Sequence, residues 1–342
     1  MTRYFLGVDV GATKTHALIA EENGQACGFG EAGPGNHEDV GYDGLAAAVY
    51  RATAQALARA GVSIDQIAGA GFGVGGYDWP SEYEPTLHTI QQALGLTAPF
   101  DAVNDAIIGL LAGAPEGWGI AVVAGTGCNC WGWDCHHRHI GRMTGMGWRM
   151  GEAAGAGELV EEAIRFVARD WSRRGPSTRL TQAFVERVQA RDAQDFLEGL
   201  TQGRFHMSAQ AAPIVFRVAA EGDAVARQLI EWAGRELASL AIGVIRQIGL
   251  ESLEFDVVLV GSLYDGGPPL LESMREAVLA VASGARFVRL TAPPVVGGVL
   301  LGMEQVGVKG NFIRGRLIET TKLLLYETSS HAELGATTAR SS

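Results

Sequence analysis

The chain has 342 residues but no apolar run long enough for a membrane span, only four cysteines, and fewer positive charges than negative ones. A spanning helix needs about 20 consecutive apolar residues, and no stretch here reaches that length. Met1-Thr2-Arg3 leads straight into a strand pattern with no small-residue cleavage site after it, so no secretory signal is expected. Four cysteines in a chain of this length, with no secretory segment, point to a reducing cytoplasm rather than a disulfide framework. Lys and Arg number 27 against 38 Asp and Glu, for a formal net charge of −11. That balance argues against broad binding to nucleic acid or anionic membrane, while a local phosphate pocket stays open to it. Charged residues make up only 19% and hydrophobic ones 47%, the mark of a well-filled globular chain. Its length suits one large domain or two of ordinary size.

The most informative stretch that is present is Val8-Asp9-Val10-Gly11-Ala12-Thr13-Lys14-Thr15. It joins two short apolar runs, each bounded by glycine or polar residues, and so reads as strand, turn, strand. Gly11 supports a tight turn and lets backbone N–H groups approach an anion. Thr13, Lys14 and Thr15 add donors, and Asp9 brings a carboxylate able to hold a divalent cation through water. This suits the phosphate tail of a nucleotide, although an ordinary hairpin with a glycine turn fits the same residues. The P-loop pattern is absent: it lacks the upstream Asp and turns into a helix.

Predicted strands over residues 4–9, 15–22 and 25–31 precede a helix over Tyr42–Ala60 and a strand over Ile67–Val74. A helix near Glu82–Leu94, a short strand into Asn104-Asp105 and a helix over Ala106–Ala112 follow. The order then restarts, with a strand to Ala124, a turn at Gly125-Thr126-Gly127 and a strand over Cys128–Trp133. A mostly helical stretch spans about 156–248, with an apolar stripe through Ala226, Leu229, Ala233, Leu237, Leu240 and Val244. Strands at Asp256–Val260 and Ala285–Leu290 and a helix at Val295–Val306 close the pattern. The expected fold class is therefore α/β, with two lobes that each begin on a Gly/Thr hairpin and a nucleotide cleft between them. The expected boundaries are 1–115 for the first lobe and 116–306 for the second. A helix over 307–326 would pack back on the first lobe, and 327–342 would form a polar, frayed tail.

In order and spacing these motifs resemble the actin/hexokinase/Hsp70 phosphotransferase superfamily, and within it the N-acetylglucosamine kinase branch of the BadF/BadG/BcrA/BcrD-type ATPase family. Val8–Thr15 is similar to the first phosphate motif, and Gly125-Thr126-Gly127-Cys128-Asn129-Cys130 to the second. Asn104-Asp105-Ala106 resembles the catalytic aspartate segment, and Gly35-Asn36-His37 a sugar-contacting step. Gly145-Met146-Gly147-Trp148-Arg149-Met150-Gly151-Glu152 resembles the sugar loop. Val260-Gly261-Ser262 resembles the adenosine motif, and Val296-Gly297-Gly298-Val299 the helix start after it. The chain departs from the family's Gly-Asp-Glu-Gly run, which here reads Gly151-Glu152-Ala153-Ala154, and its loop tryptophan sits at 148 rather than between the two glycines. Both departures bear on the sugar rather than on phosphoryl transfer.

The resemblance implies two ribonuclease H-like lobes of the actin-like ATPase fold. It also implies ATP-dependent phosphorylation of an amino sugar, N-acetylglucosamine at its 6-hydroxyl, in a cytoplasmic enzyme that could be a homodimer. Glucosamine or another hexosamine, a cluster-bearing ATPase activator and a non-catalytic sugar sensor are the alternatives. The activators' Lys-Cys-Ala-Ala-Gly-Thr-Gly stretch is missing here. Asp105 is the candidate general base: its own neighbourhood favours an N-cap, the order of the surrounding motifs favours the base, and it could serve as both. Gly11, Ala12, Thr13, Lys14, Thr126, Gly127, Ala219, Gly261, Ser262 and Gly266 are the expected ATP-binding residues, with Asp9 holding Mg²⁺ through water. Lys14 could equally be a solvated tip. The expected sugar side comprises Asn36, Gly76, Asp105, Cys128, Asn129, Gly145, Met146, Gly147, Trp148 and Glu152. Asn36 is otherwise a turn residue and Trp148 otherwise a packing residue. Cys128, Cys130 and Cys135, with His136, His137 and His139, form a cluster whose sharp reading is zinc and whose plain reading is buried thiols beside exposed histidines.

Overall fold

The computed structural model describes residues 2–338, which form two compact units. The first holds residues up to 119, 135–138, and those from 288 onward. It opens with β1 (Tyr4–Val10), β2 (Thr15–Glu21), β3 (Ala26–Ala32) and α1 (His37–Ala60), followed by β4 (Ile67–Val74), α2 (Tyr83–Leu94), β5 (Phe100–Asn104) and α3 (Asp105–Gly113). Its sheet runs β3-β2-β1-β4-β5, with β1 antiparallel to β2 and parallel to β4, and β4 parallel to β5.

The strand period of two sorts the side chains of β1. Leu6, Val8 and Val10 join Leu45, Val49, Ala52 and Ala56 of α1 in one core layer. Phe5 faces the other way, and Gly7 and Asp9 share its face. Helix α1 starts at His37, earlier than the predicted Tyr42, because Asn36 caps it: the Asn36 side chain accepts from Glu38 N at 2.9 Å. The early turn is set off by Gly41, which is non-helical at φ 69°, ψ 173°.

The second unit contains residues 120–134 and 139–287. Its elements are β6 (Gly119–Ala124), β7 (Cys128–Trp133), β8 (Ile140–Arg142), α4 (Ala156–Trp171), α5 (Leu180–Val188), α6 (Ala193–Thr201), α7 (Ala212–Ala220), α8 (Ala224–Gln247), β9 (Phe255–Val260), α9 (Pro268–Leu279) and β10 (Ala285–Arg289). The sheet order is β10-β9-β6-β7-β8. All six residues of the predicted apolar stripe on α8 are buried. The sequence pattern did not announce β8, whose three residues carry no alternation. Gln247 at the end of α8 pins it, accepting from Arg142 N at 2.8 Å and donating to Arg142 O at 3.1 Å.

The last two helices, α10 (Val295–Glu304) and α11 (Arg314–Thr338), belong to the first unit. This moves α10 out of the predicted second lobe. Val295, Val296, Val299, Leu300 and Met303 of α10 form a core with Phe5, Leu18 and Ala20 on the second face of the first sheet. The sequence boundary placed α10 with the strands that precede it, but its apolar surface fits the glycine-bearing face of β1 and β4. In α11, Thr320 Oγ1 accepts from Ala26 N at 3.1 Å, and Arg314 donates to the carbonyls of Ala112 and Gly113. Residues 327–338, predicted as frayed tail, are helical, and 339–342 lie outside the described residues.

Candidate active site

In the first unit, three strand ends bring the polar groups together. Asp9 lies near the end of β1, opposite Gly73 of β4. The turn beyond it is closed by Gly11 N donating to Lys14 O at 2.9 Å, and Gly35 N donates to Gly11 O at 3.1 Å. Gly75 N, past the end of β4, donates to Val10 O at 2.8 Å. Asp105 is the first residue of α3. Its carboxylate lies over Gly75, where a built Cβ would sit 3.3 Å from Asp105 Oδ2.

The helix cap is Asn104, whose Oδ1 accepts from Ala106 N at 3.0 Å. This corrects the cap reading of Asp105 and leaves its carboxylate for other work. Burial lifts the Asp105 carboxyl to about 6, against the lowering effect of the N–H groups of Ala106 and of Asp105 itself. Asp9 rises further, to about 7, because burial and then the Asp105 charge both disfavour its ionised form, with Lys14 opposing them. At Asp105 the stabilisation from the helix-end N–H groups is thus outweighed by desolvation. Asp105 is nonetheless mostly ionised at neutral pH.

On the expected sugar side, a Cβ at Gly76 would fall on Asn36 Oδ1. Asn36 therefore lies across Gly76 while it caps α1. His37 stacks on Tyr42 with ring centroids 4.8 Å apart.

The second unit carries the other phosphate-like turn. Gly125 N donates to Gly127 O at 2.9 Å, while Ala156 N and Gly157 N donate to Gly125 O and Thr126 O, each at 2.9 Å. The first turn of α4 thereby fixes the turn between β6 and β7. Cys128 is buried and its sulfur accepts from Ala154 N; burial pushes the thiol up to about 12, so it is not a nucleophile. Asn129 Oδ1 accepts from Cys130 N at 2.8 Å. Glu152, 4% exposed, accepts from Thr144 N at 2.7 Å through Oε1, whereas its buried Oε2 has no hydrogen-bond partner among the described residues.

In the loop over 145–152, Gly145, Gly147 and Gly151 all have positive φ. Trp148 stacks on Trp232 at 5.8 Å, and the Arg165 guanidinium lies 4.5 Å over its ring. Trp148 thus packs on Trp232 and Arg165 while staying 38% exposed. Met146 and Met150 are exposed.

A pocket of about 630 Å³ within this unit is lined by Gly125, Thr126, Phe216, Ser262 and Gly266, among others. Gly261, just before the lining residue Ser262, has φ 103° and packs against Ala124 O, a conformation and an approach that exclude a side chain. Ala219 lies one turn further along α7 and is not part of the lining; Gln210, Pro213 and Phe216 are. Sequence reading missed these three because no motif marks them inside a long helical stretch.

The cysteine and histidine cluster does not converge. His139 pairs with Asp134 at 2.9 Å, His137 contacts Gly117 O at 3.0 Å and Glu304 at 3.4 Å, and Cys135 is exposed. Among the described residues no group of three or more His, Cys, Asp or Glu side chains could hold a metal. No described helix is long and apolar enough to cross a membrane.

The profile of the BadF/BadG/BcrA/BcrD ATPase family matches residues 6–302. The chain belongs to this family. Across it, the chain is 25% identical over 313 residues to the N-acetyl-D-glucosamine kinase of Dictyostelium discoideum, covering 88% of this chain and 98% of that protein. It is 21% identical over 308 residues to the N-acetylmuramic acid/N-acetylglucosamine kinase of Clostridium acetobutylicum, covering 89% and 99%. The solved structure of a candidate N-acetylglucosamine kinase from Chromobacterium violaceum matches with a TM-score of 0.63 at 22% identity, covering 87% of this chain and 98% of that one. The family fold is the expected α/β, actin-like ATPase fold, with a five-stranded sheet in each unit.

Proposed function

We propose that the chain is an ATP-dependent sugar kinase that phosphorylates N-acetylglucosamine on its 6-hydroxyl, with Asp105 as general base. The observation that carries the reading is the Asn104-Asp105 arrangement. Asn104 takes the capping duty, so the adjacent carboxylate stands at the head of α3 with an apparent pKa of about 6. A base of that pKa is ionised at pH 7 yet still basic enough to take a hydroxyl proton. Asp105 accepts the proton of the sugar 6-hydroxyl as its oxygen attacks the γ-phosphorus of ATP, and ADP leaves.

The turns at Gly11–Lys14 and Gly125–Gly127 supply backbone and threonine donors for phosphate oxygens. Two buried carboxylates, with the Asp105 charge raising the proton affinity of Asp9 and with oxygen donors only, fit a hard divalent cation. Mg²⁺ held through water by Asp9 would neutralise the phosphate charge. The buried, unpartnered Glu152 Oε2 suits a hydroxyl or amide N–H of the substrate, because a sugar lacking that group would leave the oxygen unpaired. The names of the relatives from Dictyostelium discoideum and Clostridium acetobutylicum support the same substrate class.

ADP release measured with a panel of hexoses and hexosamines tests this reading. N-acetylglucosamine should give the highest kcat/KM. ATP turnover that is indifferent to sugar, or silence with every hexosamine, overturns it. The acid limb of kcat/KM should fall about tenfold per pH unit below roughly 6, because protonating Asp105 removes the base of the free enzyme. A rate independent of pH between 5 and 7 would exclude Asp105 from that role.

Phe216 offers an aromatic face to an adenine ring in the second unit's pocket. Phe216→Ala is expected to raise KM for ATP about tenfold, given that base–aromatic stacking contributes about 1–3 kcal/mol. The sugar KM should stay unchanged in the same assay.

A further inference from the structure

Asp78 lies on the loop between β4 and α2 and is 6% exposed. Its Oδ1 accepts from Asn104 Nδ2 at 3.0 Å. The same amide nitrogen donates to Tyr77 O at 3.0 Å. Asn104 therefore commits its donors to this loop and turns its oxygen toward α3, where it accepts from Ala106 N. The reverse orientation would set an oxygen against two acceptors and an NH₂ group against a backbone donor. Asn104 is 1% exposed, so neither choice is relieved by solvent.

The loop is itself anchored. Glu82 Oε2 accepts from Asp78 N at 2.9 Å and from Trp79 N at 2.8 Å, and Glu82 Oε1 lies 3.5 Å from His37 Nε2. A chain of polar contacts thus runs from the head of α1, beside Asn36, through Glu82 and Asp78 to Asn104 and the first turn of α3. Burying a carboxylate is costly, and a packed apolar pair in its place is often no less stable. Asp78 sits where that cost has a use, one residue removed from the base.

We propose that Asp78 is a positioning residue for Asp105, acting through Asn104. It holds the amide that caps α3 and so sets the turn on which the base rides. This rests on the kinase reading above. Without Asp78, Asn104 keeps only the Tyr77 carbonyl on its donor side, its hold on Ala106 N is weakened, and the first turn of α3 can shift. A displacement of about 1 Å at a reacting group costs on the order of 10²-fold in rate.

Steady-state kinetics with ATP and N-acetylglucosamine test the role in four proteins. Asp78→Ala should lower kcat about 10²-fold while KM for ATP stays at the wild-type value. Asn104→Asp sets acceptor against acceptor at the Asp78 contact and should lose kcat similarly. Combining it with Asp78→Asn restores a donor and an acceptor at that contact with the roles reversed, while the Tyr77 carbonyl still faces an oxygen, and should recover part of that loss. A residue needed only for folding would lower the melting temperature and the fraction of active enzyme, but would give no rescue in the swapped pair. If Asp78→Ala does not fold, the comparison of Asn104→Asp with the swapped pair decides. Near-wild-type kcat in Asp78→Ala, or a swapped pair no faster than Asn104→Asp alone, overturns the positioning role. A wild-type protein inert with every hexosamine overturns the kinase reading, and the positioning role with it.

Discussion

Asp105→Asn is expected to lower sugar-dependent ADP release by about 10³-fold, within the range that a positioned base supplies. The substitution is close to isosteric. Asn104 still caps α3 through Ala106 N, so the helix head should hold. What changes is that an amide cannot take the hydroxyl proton. Binding of a non-hydrolysable ATP analogue, measured by calorimetry, should survive, because Asp105 is neither a residue of the phosphate turns nor part of the pocket lined by Phe216. Loss of the Asp105 charge also removes one of the two causes that raise Asp9, so Asp9 should ionise at lower pH in this variant. An Asp105→Asn enzyme with near-full turnover would sink the assignment of the base, whatever its effect on nucleotide affinity.

The parts of this site that were legible in the sequence are those whose chemistry is local. A turn such as Val10–Thr15 needs its glycine and its donors within a few residues, and Asn104-Asp105 needs only a strand end followed by a helix start. The α8 stripe was legible for the same reason, since its period is written in one helix. Decisions made between distant segments were not legible. Whether Asp105 or Asn104 caps α3 depends on Asp78 and Tyr77, which claim the Asn104 donors from another loop. Whether Trp148 meets a sugar or packs depends on Trp232 and Arg165. Phe216 became a pocket wall through the fold of α7 against the Ser262–Gly266 turn, and nothing in its own neighbourhood signals that. The boundary of the second unit was misplaced because α10 follows β10 in the chain, while its apolar face is matched by β1 and β4.

That match makes Gly7→Ala a strongly destabilising substitution. Gly7 lies in mid-strand on β1, and α10 crosses it at backbone distance. A Cβ built on Gly7 would fall on Val299 N and within 2.6 Å of Val295 O, both backbone atoms that cannot swing aside. The far side of the helix is no freer, because a Cβ on Gly297 would run into the Ile108 carbonyl of α3. Helix α10 is therefore held between sheet and helix by glycine contacts on both sides, and it can give way only by moving as a body. Such a movement would uncover the core formed by Phe5, Leu18, Val296, Val299 and Met303. Overpacking of a well-filled core costs about 1–3 kcal/mol, and a backbone clash with no route of relief belongs at or above the upper end, about 3 kcal/mol. Gly33→Ala is the matched control, since a Cβ there meets nothing within 4 Å. Thermal melts of the two variants should separate them clearly: Gly33→Ala should unfold with the wild type, and Gly7→Ala well below it or not express in soluble form. Equal melting of Gly7→Ala and wild type would show that α10 does not rest on β1 as described. Asp9, two residues further along the same face of β1, would then lose the structural frame that sets it beside Asp105.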